Sequence, residues 1–174
     1  SARDRMHEKR LFQDLGISTV PFAPVDSFEE LHEAVKSIGL PAILKTRTMG
    51  YDGKGQFVLR HSDELYSAWD LLGGGPLILE GFASFRREIS VISVRGRDGE
   101  IRFYPLSENH HRNGILHTAH SLPDDPRQSM AEDYARRIME KLDYVGVMAL
   151  ELFDSGDELL ANEMACLLYT SPSP

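Results

Sequence analysis

A glycine-rich run set between two strand-like segments constrains this chain more than any other feature. Gly50-Tyr51-Asp52-Gly53-Lys54-Gly55 follows Ala42-Ile43-Leu44-Lys45-Thr46, which predicts a short strand, and precedes Gln56-Phe57-Val58-Leu59, which predicts a returning one. Glycines let backbone N–H groups approach and cradle phosphate oxygens without obstruction by side chains. Lys45 and Lys54 add positive charge suited to a polyphosphate. Phosphate loops of the Walker type, and glycine fingerprints of dinucleotide folds, open a helix. This one opens a strand, so the prediction is a strand–loop–strand phosphate lid. A flexible hairpin with an incidental lysine is the alternative, and the loop alone does not decide between them.

The remaining pattern reads as α+β in two small lobes. A helix is predicted from about Asp4 to Leu15, with Glu8, Leu11, Phe12 and Leu15 as its stripe and Gly16 ending it. A second starts at Ser27, where Ser27-Phe28-Glu29-Glu30 has capping-box spacing, and Gly39 and Pro41 close it. A third starts at Ser62, buries Leu65, Trp69 and Leu72, and stops at the run from Gly73 to Pro76. Strands follow at Leu77 to Glu80, Glu88 to Val94 and Ile101 to Tyr104, with a hairpin turn at Gly96 to Gly99. Glu108 to His120 reads as strand or ordered loop. Arg127 to Leu142 reads as a helix with Met130, Tyr134, Ile138 and Leu142 on one face. Two last strands, Val145 to Phe153 and Glu158 to Glu163, flank the turn at Asp154 to Asp157.

That last hairpin carries Glu151 and Glu163. Side chains alternate along a strand, so register decides whether the two carboxylates meet. A two-residue turn leaves them on opposite faces; an odd-length loop with a glycine near the left-handed region puts them together. Carboxylates about 4 Å apart repel by roughly 4 kcal/mol at an effective dielectric near 20. A divalent cation removes that cost, Mg²⁺ being the usual hard-oxygen choice beside phosphates, and Asn162 adds an amide oxygen. Glu151 also sits among Val147, Met148, Ala149, Leu150, Leu152 and Phe153, where an unpaired acid is expensive to bury. An edge strand with one face in water is the competing reading.

Composition narrows the classes. At 174 residues with 41% apolar and 26% charged residues, the chain has the balance of one ordinary globular domain rather than a disordered segment. A net charge of −8 argues against a nucleic-acid partner, which needs a basic face. No apolar stretch approaches the roughly 20 residues that span a bilayer, and no apolar region follows the opening Ser1-Ala2-Arg3-Asp4-Arg5, so no membrane partner is expected. The one cysteine, Cys166, permits no internal disulfide. A cytoplasmic protein is expected. His110, His111, His117 and His120 lack a cysteine partner or a zinc-helix pattern, which disfavours zinc. Arg86 and Arg87 are expected at the surface, one of them paired with Glu88.

Together these features resemble the ATP-grasp superfamily, and most closely the carboxyaminoimidazole ribonucleotide synthases. The resemblance rests on Lys45-Thr46-Arg47 with Gly50 to Gln56, Leu79-Glu80-Gly81-Phe82, and Arg87-Glu88-Ile89-Ser90-Val91-Ile92. Tyr104-Pro105, Glu108-Asn109-His110-His111, Asn113-Gly114-Ile115-Leu116, and Ala149 to Phe153 with Asn162-Glu163 extend it. It covers roughly residues 3 to 165. It implies an ATP-grasp fold, two α+β lobes enclosing ATP, as part of a larger ligase whose N-terminal and C-terminal domains lie outside this chain. Residues 166–174 have no counterpart in the family pattern and read as a truncation artefact.

The resemblance also implies roles. Arg5 and Lys45 would contact ATP phosphates, and Gly50, Tyr51, Asp52, Gly53, Lys54, Gly55 and Gln56 would close over them. Glu80, Gly81, Phe82 and Ala83 would form the hinge that meets the adenine edge through backbone groups. Glu88 would accept from the ribose hydroxyls, with His111 near the nucleotide. Glu151 and Glu163 would hold Mg²⁺, assisted by Asn162. Tyr51, Asp52 and Lys54 would face bicarbonate or the aminoimidazole ribonucleotide. The implied reaction carboxylates the amine of 5-aminoimidazole ribonucleotide through carboxyphosphate in purine biosynthesis, by an enzyme expected to be a homodimer. The fragment alone is expected to be inactive. Another ATP-grasp ligase, such as a formyltransferase or biotin-type carboxylase, or a non-catalytic ATP-binding module, is the alternative.

Overall fold

In the computed structural model, the described residues are 4–48, 55–112 and 115–167. The chain divides into two units, each with its own apolar core. Unit one comprises Ser1–Arg10, Val20–Ser84 and Asn113–Ile115; unit two comprises Leu11–Thr19, Phe85–Arg112 and Leu116–Pro174.

Helix α1 (Arg5–Asp14) contributes to both. Its buried side chains are Met6, Glu8, Lys9 and Phe12, whereas Leu11 and Leu15 are half-buried. The expected stripe is therefore shifted toward the N-terminus, and it takes a lysine inward.

In unit one, β1 (Phe22–Val25), β2 (Ala42–Thr46), β3 (Gln56–Leu59) and β4 (Leu77–Gly81) form an antiparallel sheet in the order β1-β4-β2-β3. Period-two alternation gives it two different faces. Leu44 lies opposite Leu79, and this face packs with Leu31 and Ala34 of α2 (Phe28–Ile38) and Leu65 and Ala68 of α3 (Leu65–Leu71). Each leucine so buried contributes about 1.5–3 kcal/mol. Lys45 and Glu80 belong to the other face.

Ser27 caps α2 as its sequence implies, its side chain accepting from Glu30 N at 3.2 Å. The reciprocal bond is displaced by one residue: the Glu30 carboxylate takes Asp26 N at 2.7 Å. The third helix begins later than expected. A 3-10 turn, Ser62–Glu64, comes first, and Glu64 Oε2 accepts from the Arg60 and His61 amides at 2.7 and 3.0 Å. Where β2 and β3 end their pairing, Thr46 N donates to Gly55 O at 2.8 Å. Gly55 has φ +71°, and a Cβ there would lie 2.7 Å from Thr46 Oγ1. Only glycine suits both demands.

Unit two is built on β5 (Arg87–Arg95), β6 (Ile101–Phe103), β7 (Leu106–Arg112), β8 (Ile115–Leu122), β9 (Gly146–Asp154) and β10 (Leu159–Leu167). The order is β10-β9-β5-β7-β8, with β6 also on β5. Ile89, Val91, Leu150 and Leu152 line the face that packs with α4 (Gln128–Lys141). The buried side of α4 is Ala131, Tyr134, Ala135, Ile138 and Met139. Met130 and Leu142, expected inside, are 39% and 43% exposed, so the true stripe is rotated toward Ala131 and Met139. The histidine-rich stretch resolves into β7 and β8. The latter is exposed from Ile115 to Ser121, which explains its lack of apolar alternation. Strand β10 includes Cys166 and Leu167, opposite Met148 and Val147.

Candidate active site

In unit one the polar sheet face holds a buried charge cluster. Lys45 Nζ lies 2.7 Å from Glu80 Oε2, and Lys9 Nζ lies 3.7 Å from Glu80 Oε1. Lys9 is 2% exposed and Glu80 3%. Burial pushes the Glu80 carboxyl upward most strongly, but Lys9, Lys45 and Arg5 together outweigh it and hold it below its ordinary value. Arg5 Nη1 donates to Thr46 O at 2.8 Å, and its backbone N–H donates to Arg47 O at 3.0 Å. The start of α1 is thereby tied to the end of β2. Three cations surround one carboxylate, a surplus suited to an anion.

Lys9 escaped the sequence reading. Its signal was there: it lies four residues after Arg5, on the same helical face. Gln56, directly opposite Lys45 in the ladder, is exposed. Gly50, Tyr51, Asp52, Gly53 and Lys54 lie outside the described residues.

The segment from Glu80 to Ala83 runs to the point where the chain leaves unit one, after Ser84. Glu80 is paired within the β4 ladders, and beyond them Gly81 N–H donates to Pro21 O at 2.8 Å and Phe82 N–H to Pro41 O at 3.3 Å. Ala83 N–H carries no such bond among the described residues.

Unit two brings acids together on the sheet face opposite α4. Glu163 lies directly opposite Glu151, and Ser90 lies opposite Glu151 on the other flank. The route differs from the expected odd-length loop. Asp154 pairs with Leu159 across a four-residue turn, and the ladder runs regularly to Ala161 opposite Leu152. A bulge at Asn162 then advances the register by one. Without it Asn162 would face Glu151, and Glu163 would point to the core side.

Glu88 belongs to the same face, opposite Asn109 and Phe153. His111 Nδ1 lies 3.2 Å from Glu88 Oε2. Burial pushes the Glu88 carboxyl above its ordinary range; His111 draws it down, and repulsion from Glu163 pushes it up again. Ser90 and Asn109 are buried polar neighbours there, with Ser90 Oγ donating to Asn109 Oδ1 at 3.4 Å. The alternation of Glu88 and Ser90 with Ile89 and Val91 was the available signal for them.

Arg87 does not pair with Glu88. It holds Asp125 at 2.6 Å and Asp154 at 2.9 Å, and Arg127 also approaches Asp154 at 3.4 Å. This network braces the turn before β10. The rings of His110 and His120 meet edge to face at 5.6 Å. Among the described residues, no group of three or more His, Cys, Asp or Glu side chains is arranged to hold a metal.

The facing carboxylates still suit Mg²⁺. Their oxygens are hard donors, and the repulsion felt by Glu88 is of the kind a cation relieves. Two protein carboxylates are a common complement for Mg²⁺, which takes its other ligands from phosphates and water.

Known proteins resemble this chain in sequence and fold. The model of the ATP-grasp domain matches residues 10–169. N5-carboxyaminoimidazole ribonucleotide synthase of Pseudomonas aeruginosa is 52% identical over 170 residues, covering 98% of this chain and 47% of that protein. The crystal structure of N5-carboxyaminoimidazole ribonucleotide synthetase from Thermus thermophilus superposes with a TM-score of 0.86 at 52% identity, covering 94% of this chain and 45% of that one. A structure of the synthase from Aspergillus clavatus, in complex with ADP and 5-aminoimidazole ribonucleotide, superposes at 0.83 with 25% identity, over 94% of this chain and 44% of that one. The chain thus spans about half the length of the relatives it matches. Matched by the family model over most of its length, this chain belongs to the ATP-grasp family.

Proposed function

We propose that these residues are the nucleotide-binding part of an ATP-dependent N5-carboxyaminoimidazole ribonucleotide synthase. The observation that carries the reading is the bulge at Asn162, which sets Glu163 opposite Glu151 on a face already bearing Glu88. Like charges directly opposite on neighbouring strands repel, and a bound cation would offset that repulsion. The 52% identity to a synthase of that name supports this reaction over other ATP-grasp ligations.

Under this reading, Arg5 and Lys45 take phosphate oxygens, and Ala83 N–H meets the adenine edge. Glu88, oriented by His111, accepts from the ribose hydroxyls. Glu151 and Glu163, with Asn162, hold Mg²⁺, which when bound neutralises phosphate charge. Tyr51, Asp52, Lys54 and the glycines of the loop cover the phosphates and face the second substrate. A bicarbonate oxygen attacks the γ-phosphorus, the bond to the ADP oxygen breaks, and carboxyphosphate forms. The amine of aminoimidazole ribonucleotide then attacks the carboxyl carbon, inorganic phosphate leaves, and the amine loses a proton. The chain's own contribution is positioning and charge neutralisation. The reaction is assigned to a protein of the relatives' length, a cytoplasmic homodimer, and nucleotide binding to the residues described here.

The test is titration of Mg-ATP against Lys45→Ala and Glu163→Gln. Each is expected to weaken binding about tenfold or more; unchanged affinity in both removes the assignment. In the longer protein, ADP release must depend on bicarbonate and rise with aminoimidazole ribonucleotide.

A further inference from the structure

We infer that Lys9 is a positioning residue for nucleotide binding: it holds the Glu80 carboxylate so that Lys45 can leave it for a phosphate. The inference rests on the nucleotide-binding reading of Lys45. Its basis is the division of Glu80 between two lysines. Oε2 takes Lys45 Nζ at 2.7 Å, and Oε1 faces Lys9 Nζ at 3.7 Å. Lys45 is the more exposed of the two, its side chain 14% accessible against 3% for Lys9.

A lysine engaged by a buried carboxylate binds a phosphate only by loosening that contact. If Lys45 were the only cation beside Glu80, its departure would strand a buried negative charge, which is strongly unfavourable. Lys9 removes that obstacle, because it approaches the other oxygen from α1 and is itself shut away from solvent. Among the described residues, the charged groups facing Glu80 are Lys9 and Arg5 from α1 and Lys45 from β2. Its ladder partners, Phe22 on β1 and Ile43 on β2, carry no charge. Arg5 is engaged with Thr46 O, so it contributes through space.

Removing Lys9 should therefore trap Lys45 on Glu80. Mg-ADP affinity of Lys9→Met is expected to fall about tenfold near neutral pH. The deficit relative to wild type should shrink as pH falls, because protonating Glu80 releases Lys45. Lys9→Arg should retain most of the affinity. Adding Glu80→Gln to Lys9→Met should restore binding and remove the extra pH dependence. A role in packing alone would give a pH-independent loss that Glu80→Gln does not repair.

Two readouts keep the test decisive. Calorimetry with Mg-ADP from pH 5.5 to 8 is one. The other is ¹³C titration of the Glu80 carboxyl without nucleotide, where Lys9→Met must raise the midpoint and Lys9→Arg must not. If Lys9→Met does not fold, the charge-balanced double variant and Lys9→Arg carry the comparison, and weak Mg-ADP binding by both overturns the proposal. Equal affinity of Lys9→Met and wild type at every pH, or an unmoved Glu80 midpoint, also overturns it. A wild-type chain that binds no Mg-ADP would instead count against the nucleotide-binding reading, leaving the carboxyl titration to judge Lys9.

Discussion

Arg87 reaches two acids at once, Asp125 and Asp154, and shares the second with Arg127. Its hydrogen bond to Asp125 holds that carboxyl below its ordinary value of 3.8. Because the folded value lies below the unfolded one, the stabilisation is complete above about pH 4 and disappears as pH falls through the folded value. Arg87→Ala should cost about 3 kcal/mol at neutral pH by leaving two largely buried carboxylates without this partner. It should also move acid unfolding to higher pH. Circular dichroism across an acid titration checks both, and an unshifted midpoint would show that the network is not what sustains stability there. Glu80 follows the same sign, its lowered value also making it a source of acid lability. Neither partnership was legible in sequence. The sequence suggests Glu88 as a partner for one of Arg86 and Arg87, but Arg87 and Glu88, adjacent on a strand, point to opposite faces, and the real partners of Arg87 lie far along the chain. Lys9 was overlooked for a related reason: an inward lysine makes sense only once Glu80 is known to lie beside it.

Local elements were easier to read, because their signals are short-range. The β2–β3 hairpin, the Ser27 cap and the final acidic hairpin follow from apolar periodicity and turn residues. The misses have physical causes. Strand β1 carries little strand signal, because Pro21 and Pro24 interrupt it, yet β1 is an edge strand, where proline is tolerated. The β7–β8 pair was ambiguous because exposed strands need no apolar alternation. The Asn162 bulge was invisible, since no residue type demands one. Deleting Asn162 should straighten β10 while leaving Glu163 opposite Glu151, because the ladder already resumes there. Mg-ADP affinity should then fall by less than about tenfold, against a larger loss in Glu163→Gln. A deletion as damaging as Glu163→Gln would mean that the bulge itself, rather than the carboxylates, is the critical feature.

At the scale of the whole molecule, the division into two cores makes a separate prediction. Leu44→Ala opens a cavity in unit one and Leu150→Ala in unit two, each costing about 2–5 kcal/mol. Hydrogen exchange should show the loss of amide protection concentrated in the unit that carries the substitution. Uniform loss across both would mean that the two cores unfold as one. The α+β class and two-unit plan were legible because alternating periodicities report them directly. The exact division was not, since the chain interleaves its units: residues 11–19 belong with segments that begin only at Phe85. That interleaving bears on biogenesis. As the chain emerges from the ribosome, the four-stranded sheet has all its strands before the first strand of the six-stranded sheet is made. Residues 11–19 must meanwhile wait for partners not yet synthesised, so neither unit can be excised as one continuous stretch of gene.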